Sequence, residues 1–367
     1  MNNNERLYVD LHVLQTVPPS CVNRDDTGSP KTAVFGGVTR ARVSSQAWKH
    51  AMRLRFRETL TGDDVGQRTK MVVDLIADEI RREVPTYTEK SAQKMGRKVL
   101  EAAGVKIKED KDKEDKEKLK TDALFFISPA QIRALAHIAA ESETDKFDKD
   151  ECQAALKMHP SVDLALFGRM VANAPTLNTD AAAQVAHAIS THAVENEFDY
   201  FTAVDDCSPE DNAGAGHLGT VEFNSSTLYR YATVNVAALR DTLGDRTPEA
   251  VRAFAEAFIR SMPTGKQNTF ANRTRPDAVY VTVRCDQPVA LTGAFEKPIA
   301  AGDDGYVAAS VRALADYAKE TYADFVAAPV LALGTGKGLE TLEVQPCPVD
   351  ALLDTLENYL SGDEEQR

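Results

Sequence analysis

Residues 7–14 read LYVDLHVL, in which every second position from Leu7 to Val13 is aliphatic. This period of two predicts a strand with one face buried in the core, and the pair Pro18-Pro19 predicts its end. A polar, turn-rich loop from Cys21 to Lys31 follows. The chain therefore opens with a strand that leads through a long loop into the next element.

A helix is predicted after this loop, because Ser44 or Ser45 can cap a run with helical apolar spacing. The apolar residues of that run are Ala47, Trp48, Ala51, Met52 and Leu54. Gln46, Lys49 and Arg53 lie three and four residues apart and share one face of the helix. Polar and basic groups near a helix N-terminus suit phosphate, since free N–H groups and the helix dipole add to the side chains.

The middle of the chain predicts a mainly helical region. Its predicted elements are helices at Met71–Glu83, Glu89–Ala103, Pro129–Ala140, Asp163–Ala172 and Ala181–Asn196, and a strand at Leu124–Ile127. Between Lys106 and Lys120 the sequence is a mixture of Lys, Glu and Asp with few apolar residues. This composition predicts a solvated or mobile loop, with charge contacts to a partner as the alternative.

Between Phe201 and Tyr231 the sequence pattern changes from helical to strand-like, with glycines at its centre. Strand-like stretches flank Gly214, Gly216 and Gly219, which predicts a long hairpin with a glycine-rich tip. Strand and helix signals then alternate at Ala232–Val236, Pro248–Ser261, Val279–Arg284, Tyr306–Tyr322 and Pro329–Leu333. Together with the opening strand and helix, they predict an α+β fold, for which a ferredoxin-like β-α-β-β-α-β core is the natural candidate.

Charge is distributed unevenly along the chain. The net charge of −13 argues against binding nucleic acid by bulk attraction. The segment from Lys31 to Arg57, which we name the basic island, nevertheless holds seven basic residues and no acidic one. The island carries +7 and the remainder of the chain therefore −20. This segregation predicts a local phosphate-attracting surface, and the solvated basic face of an amphipathic helix is the alternative.

Composition restricts the compartment and the chemistry. No run approaches the roughly 20 apolar residues of a membrane span. The start MNNNERLYVD lacks the basic and apolar regions of a signal peptide. The five cysteines form no C-x-x-C pair, which supports neither a zinc site nor a disulfide framework. We therefore expect a cytoplasmic protein without a metal or a cofactor.

Few motifs suggest catalysis. Asp25 and Asp26 can bind a metal or cleave a phosphodiester, although the surrounding NRDDTG sequence equally predicts a turn. Gly334–Gly338 and Gly265–Gln267 lack the spacing of an ATP-binding loop, but the second opens a polar, basic stretch that can approach an RNA backbone. His187 and His192, five apart on a predicted helix, do not share a face as a metal pair would. The aromatic pattern with which common RNA-recognition domains stack bases is absent.

Several longer motifs occur in order along the chain. They are Pro19–Asp26, Phe35-Gly36-Gly37, Arg42–Gln46 with Lys49 and Arg53, Ala165–Met170, Gln184–Ile189, Phe201–Asp206, His217–Thr220, Gly265–Gln267 and Ala294–Lys297. In this order they resemble the CasC-type backbone subunit of the type I-E CRISPR Cascade complex. The resemblance covers most of the chain to about residue 300 and is weakest at residues 106–120 and near the C-terminus.

The resemblance implies a hand-shaped molecule whose palm is a modified RNA-recognition fold. The palm would comprise residues 1–60, 187–200 and 232–367, the helical fingers residues 61–186, and the hairpin thumb residues 201–231. The chain would then be a non-catalytic scaffold that polymerises along a CRISPR guide RNA, kinks it at regular intervals and presents its bases for pairing. The implied partners are the guide RNA, further copies of the chain, other Cascade subunits and target DNA.

The resemblance also implies the residues of the site. RNA contacts are implied for Arg24, Arg42, Ser44, Gln46, Lys49, Arg53, Met170, Lys266 and Gln267, and thumb contacts for His217, Leu218, Gly219 and Thr220. Met170 matches the position that wedges beside the bases at the kink, whereas its apolar neighbours Leu166 and Phe167 by themselves favour burial in the core. The alternative function is a metal-dependent RNase that cuts target RNA with Asp25 or Asp26.

Overall fold

The structure is a computed structural model that describes residues 6–111, 117–142, 144–203 and 217–362. It mixes helices with strands. Within those residues the strands are β1 Tyr8–Ser20, β2 Thr32–Phe35, β3 Val38–Val43, β4 Gln67–Thr69, β5 Ile107–Lys111, β6 Glu117–Thr121, β7 Phe125–Ile127, β8 Ala183–Val185, β9 Ala188–Ser190, β10 Glu197–Ala203, β11 His217–Asn235, β12 Ala278–Arg284 and β13 Leu331–Gly336.

The helices of the same residues range from four to eighteen residues in length. They are α1 Ser45–Thr59, α2 Val72–Glu83, α3 Glu89–Ala102, α4 Pro129–Glu141, α5 Lys149–Lys157, α6 Val162–Phe167, α7 Val236–Leu243, α8 Thr247–Arg260, α9 Gln267–Phe270, α10 Val307–Asp324 and α11 Val349–Ser361. Short 3-10 turns lie at Gly62–Asp64, Pro175–Leu177, Gly244–Arg246, Thr292–Phe295 and Glu340–Leu342.

The described residues divide into two compact units, each formed from separate segments. The first unit lies within Met1–Arg55, Val185–Ala237 and Val251–Arg367, and the second within Phe56–Gln184 and Ala238–Ala250. Six of the seven basic residues of the basic island belong to the first unit, since only Arg57 follows the boundary at Phe56.

A large antiparallel sheet organises the first unit. Its order is β13-β12-β1-β11-β9-β3-β2, and β8 and β10 also pair with β11. β1 lies between β11 and β12, so that Tyr8 is opposite Asn235 on one side and Arg284 on the other. Because strands from distant parts of the chain flank β1 on both edges, its register joins the N-terminal and C-terminal segments in one sheet.

β1 departs from its prediction in two respects. Both of its faces are buried, including Asp10 and His12, although the alternation predicted only one buried face. The strand also continues through the two prolines to Ser20, with a shift of register between Val17 and Ser20. Such an irregularity is where a strand tolerates residues that cannot donate a ladder hydrogen bond.

Helices α2 to α5 enclose the apolar core of the second unit. One buried residue from each is Ile76, Val99, Leu135 and Leu156. α4 begins with a capping box, in which the Ser128 hydroxyl accepts from the Gln131 N–H and the Gln131 side chain accepts from the Ser128 N–H. The predicted helices α2, α3 and α4 and the predicted strand β7 are confirmed to within one or two residues.

The prediction of a loop between Lys106 and Lys120 is wrong. β5 and β6 pair as a small two-stranded sheet, from Ile107 opposite Thr121 to Lys111 opposite Glu117. Ile107 and Leu119 pack against the core of the second unit. These two apolar residues are sufficient anchors because the core they contact is formed elsewhere in the chain.

One further predicted helix is shorter than expected, and another is wrong. The helix expected at Asp163–Ala172 ends at Phe167, because Gly168 adopts a φ of +73°, which a continuing helix does not allow. The helix expected at Ala181–Asn196 is replaced by β8 and β9, whose outer residues are buried while the middle one is more exposed. Strands of three residues are too short for their alternation to be recognised in the sequence.

The second half of the first unit follows its prediction more closely. α8, β12 and α10 begin and end within two residues of the predicted bounds. The hairpin of β2 and β3 and the C-terminal helix α11 were not predicted. In that hairpin Gly36 and Gly37 form the turn, with φ values of +60° and +79°, as tight two-residue hairpin turns require.

Candidate nucleic-acid interface

The loop from Cys21 to Lys31 is an ordered turn. The Asp25 carboxylate accepts hydrogen bonds from the Thr27 hydroxyl at 2.7 Å and from the N–H groups of Thr27 and Ser29 at 2.9 and 3.0 Å. The bond from the Thr27 side chain is the main reason that the pKa of Asp25 is lowered. Asp25 therefore stabilises the turn, as a short acidic side chain commonly does, and the loop leaves Arg24 exposed.

The segment that begins at Gly265 and includes Lys266 lies against this loop. Gly265 approaches it so closely that a Cβ atom would come within 2.0 Å of the Val22 carbonyl oxygen. Burial raises the pKa of the Cys21 thiol, the positive charges of Arg24 and Lys266 lower it, and the negative charges of Asp25 and Glu222 raise it further. Both cations therefore lie near this thiol, together with two carboxylates. The structure thus brings together two predicted RNA contacts that are far apart in the sequence.

A second group of cations surrounds Arg42 on β3. Arg42 Nε donates to the Thr32 carbonyl oxygen at 3.2 Å, and Arg42 Nη1 lies 3.1 Å from His187 Nδ1. Burial lowers the pKa of His187, and the charges of Arg42 and Lys31 lower it further. Lys31 and Arg42 also line a shallow pocket together with Asn23. Of the three residues Lys31, Arg42 and His187, only Arg42 was predicted as a site residue.

Ser44 connects the loop to α1. Its N–H donates to Asn23 Oδ1 at 2.9 Å, and its hydroxyl accepts from the Ala47 N–H at 3.3 Å in the first turn of the helix. Ser44 is buried, and through the bond from Ala47 its side chain caps the helix.

The basic face of α1 follows this cap. Gln46 is exposed, and Lys49 and Arg53 are half-buried on the same face of the helix. The helix therefore presents the three polar side chains that the spacing predicted.

Two arginines of the basic island are used inside the protein. Arg40 is buried and donates to the carbonyl oxygens of Ser190 at 2.9 Å, Phe295 at 2.8 Å and Phe35 at 3.1 Å. Arg55 forms an ion pair with Glu256 at 2.9 Å. The surface of the island is therefore less positive than the sequence implied, because a charge count does not distinguish buried cations from exposed ones.

Met170 is exposed, in contrast to the core packing that its apolar neighbours favoured. Its exposed fraction is 85%, whereas Leu166 is fully buried. The neighbouring Arg169 turns inward instead, and its guanidinium donates to the carbonyl oxygens of Leu156 at 2.7 Å and Leu177 at 3.0 Å. An exposed thioether of this kind is available for contact with a partner.

Antiparallel strands are present at the predicted hairpin, in the part that the structure describes. β10 and β11 pair antiparallel from Glu197 opposite Phe223 to Ala203 opposite His217, so the hairpin begins before the predicted Phe201. His217, Leu218, Gly219 and Thr220 pair with Ala203, Thr202, Phe201 and Tyr200. The predicted tip with Gly214 and Gly216 lies outside the described residues.

Exposed aromatic rings mark the same hairpin. Phe198 and Tyr200 are 67% and 63% exposed, and their spacing of two places them on one face. A Cβ atom on Gly219 would come within 2.4 Å of the Phe201 ring, so this glycine allows the ring to lie across the strand.

Aromatic side chains of the large sheet are buried and stack on other side chains of the protein. The His12 ring stacks against Tyr231 and Tyr280, with ring centroids 5.3 and 5.6 Å apart, and Phe295 covers Tyr229 at 5.1 Å. Burial, together with the charge of Arg284, lowers the pKa of His12 to about 3. These rings therefore cannot stack on bases, because they are buried within the protein.

The remaining candidate motifs have structural roles. Gly336 ends β13 where a Cβ atom would come within 2.4 Å of the Asp277 carbonyl oxygen. His192 is buried and not helical; its Nε2 accepts from the Thr227 N–H at 3.1 Å, and its ring stacks on Tyr306 with centroids 3.7 Å apart. Among the residues described, no three His, Cys, Asp or Glu side chains are grouped to hold a metal ion. None of the described helices combines the length and the apolar character needed to cross a membrane.

Comparison with known proteins identifies similar chains. The sequence model of the CT1975-like protein family matches residues 9–358. A chain from a solved "CRISPR RNA-guided surveillance complex, pre-nicking" is 34% identical, with a TM-score of 0.83 and coverage of 96% of this chain and 100% of that chain. A chain from a second "CRISPR RNA-guided surveillance complex" is 30% identical, with a TM-score of 0.74 and coverage of 96% and 99%. No curated protein matches.

Proposed function

We propose a function for this chain from the premise that it belongs to the CT1975-like protein family. The chain is a CasC-type backbone subunit of a type I-E CRISPR surveillance complex in the cytoplasm. It polymerises along a CRISPR guide RNA, together with other Cascade subunits, and presents the bases of the guide to target DNA. The observation that carries this proposal is the similarity, over nearly the whole length of both chains, to chains of RNA-guided surveillance complexes.

Two groups of cations in the first unit support binding through the RNA backbone. Arg24 and Lys266 lie near one another beside the loop after β1, and Arg42 lies with Lys31 and His187 near the edge of the sheet. A guide carrier must accept any sequence, so its contacts go to phosphate and sugar and leave the pairing edges of the bases open. Lys49 and Arg53 on α1, with Gln46 and Gln267, would extend this backbone contact.

The burial of the aromatic side chains of the sheet favours the same mode of binding. Single-stranded RNA is commonly held by stacking its bases on exposed rings. Here His12, Tyr231 and Tyr280 stack on one another within the protein. A palm derived from an RNA-recognition fold must therefore bind RNA elsewhere, and the two groups of cations are where it does so.

The proposed function carries with it the division of the chain into palm, fingers and thumb. The palm would comprise residues 1–60, 187–200 and 232–367, and the fingers residues 61–186. The thumb would comprise residues 201–231, which include parts of β10 and β11, with thumb contacts from His217, Leu218, Gly219 and Thr220. The exposed Met170 would wedge beside the bases, and the thumb would fold across the RNA segment of a neighbouring copy, which kinks the guide at regular intervals.

Co-purification tests this function. The chain is expressed with a guide-length RNA, and the purified product is digested with a nuclease. We expect a ribonucleoprotein whose RNA is protected except at evenly spaced positions, because each kink displaces a base from the protein surface. A protein that purifies without RNA, or an RNA that is digested uniformly, would contradict the proposal.

The same preparation distinguishes the scaffold from a metal-dependent RNase. Magnesium is added to the complex paired with a target RNA, and we expect the target to stay intact because the Asp25 carboxylate is held by the turn. Cleavage that disappears when both Asp25→Asn and Asp26→Asn are introduced would show that the chain is a nuclease.

A further inference from the structure

The contact between Arg42 and His187 determines which ring nitrogen of the histidine carries a proton. Arg42 Nη1 lies 3.1 Å from His187 Nδ1. A guanidinium group has five donors and no acceptor, so the histidine nitrogen must accept. His187 is therefore neutral in this arrangement, with its proton on Nε2, and its protonation at Nδ1 would break the bond to Arg42.

The charges around His187 keep the ring neutral in the absence of a ligand. Within the described residues, the charged groups that act on it are Arg42 from β3 and Lys31 from the residue before β2. Both are cations, and both lower the pKa of His187 below its ordinary value of 6.5, as does the partial burial of the ring. No acidic side chain among the described residues offsets them.

An anion would reverse this balance. A phosphate group that enters between Lys31 and Arg42 attracts both cations, and its charge favours the protonated form of a nearby histidine. Arg42 then turns from His187 Nδ1 to the phosphate oxygens, for which its planar fork is well suited. The vacated Nδ1 can bind a proton from solvent, so the histidine changes from an acceptor of Arg42 into a third cation facing the phosphate.

We propose that Lys31, Arg42 and His187 form a single site for one phosphodiester group of the guide RNA, and that His187 takes up one proton from solvent as the phosphate binds. In the free protein the histidine holds Arg42 in place, and in the complex it adds to the positive charge. This inference rests on the proposed function, since it assigns a residue and a proton to the same RNA contact.

The affinity for RNA should therefore depend on pH. Because His187 has a lower pKa in the free protein than in the complex, protons favour the complex between these two values. Affinity rises as the pH falls through this window, by at most about tenfold per pH unit for one proton. Below the pKa of the free protein the ring is charged in both states, and the pH dependence from His187 ends.

The test compares wild-type protein with His187→Gln by fluorescence anisotropy of a labelled oligouridylate, at constant salt, from about pH 5.5 to about pH 8, the range in which histidine titrates. We expect the wild type to bind more tightly toward low pH and the variant to lose this part of the dependence. At the upper end of the range the two should bind equally, since the ring is neutral in both states. Lys31→Gln should weaken binding at every pH.

His137→Gln is the matched control. His137 is also exposed, but it lies in the second unit and pairs with Glu83 at 2.6 Å rather than with a cation. Its replacement should leave the pH profile of binding unchanged.

Different results would separate this inference from the proposed function. Identical pH profiles for wild type and His187→Gln, with RNA bound by both, would overturn the proton uptake alone. An equal loss of affinity at all pH values in His187→Gln would also overturn it, because that is the effect of a purely structural residue. Absence of RNA binding by the wild type would instead reject the proposed function.

Discussion

At the scale of single residues, Gly36 is where two distant motifs meet. Its φ is +60°, and a Cβ atom there would come within 1.7 Å of the Glu296 carbonyl oxygen. Arg40 Nη2 donates to that same oxygen at 3.2 Å. The Phe35-Gly36-Gly37 turn and the Phe295-Glu296 segment are therefore held together by a close backbone approach and one buried guanidinium.

The neighbouring Gly37 provides a matched comparison for this contact. It has a φ of +79°, but a Cβ atom there would have no atom within 4 Å. Gly37→Ala should cost only the backbone strain of an L residue with positive φ, about 1–2 kcal/mol. Gly36→Ala should cost roughly 1–3 kcal/mol more, because the Glu296 carbonyl must move away from Arg40. Urea unfolding measures the decrease in stability of both variants, and equal decreases would mean that the Glu296 segment yields without cost.

At the scale of secondary structure, α1 carries the predicted basic face. Lys49→Ala together with Arg53→Ala should weaken guide RNA binding and lower its salt dependence, by roughly 0.7 in log–log slope for each phosphate that the helix no longer neutralises. The helix itself should persist, because alanine has the highest helix propensity. The measurement is a salt titration of RNA affinity.

Arg312 and Lys319 on α10 provide the control for this pair. Both are exposed basic residues in the same unit, and their replacement by alanine removes the same charge. The salt slope should then stay at the wild-type value. If the two double variants lowered the slope equally, the effect would reflect net charge, and α1 would lose its assigned role.

At the scale of the whole molecule, the basic island is a local excess of positive charge in an acidic protein. A net charge of −13 repels polyphosphate at a distance, while Lys266 and the cations of the basic island that are not buried attract it locally. Because the attraction is local, each copy of such a chain is expected to bind its own segment of the RNA. The proposed scaffold is therefore expected to assemble in proportion to the length of the RNA.

Light scattering of complexes with guides of different lengths measures this assembly. Doubling the length of the RNA should roughly double the number of bound chains, because each chain contacts a fixed length of backbone. A number of chains that stays constant as the RNA grows would contradict polymerisation, even if the RNA is bound.

Local signals in the sequence were enough to predict many of the elements. α2, α4, α8 and β12 show clear periodicity, and α4 begins with a capping box whose residues are neighbours in the chain. The hairpin of β10 and β11 was also predicted, since its glycines and strand-like flanks lie within one segment. The signals that predict these elements lie in residues that are close in sequence.

The sequence by itself determined the core-forming strand β1, the helices with strong periodicity and the position of the basic island. Only the tertiary structure decided that Arg40 is buried while Arg42 faces His187, that Arg24 lies near Lys266, and that residues 183–190 join the sheet as strands. The physical reason is that burial and pairing partners come from distant segments. The neighbours of a residue in the chain do not determine the surface against which it packs.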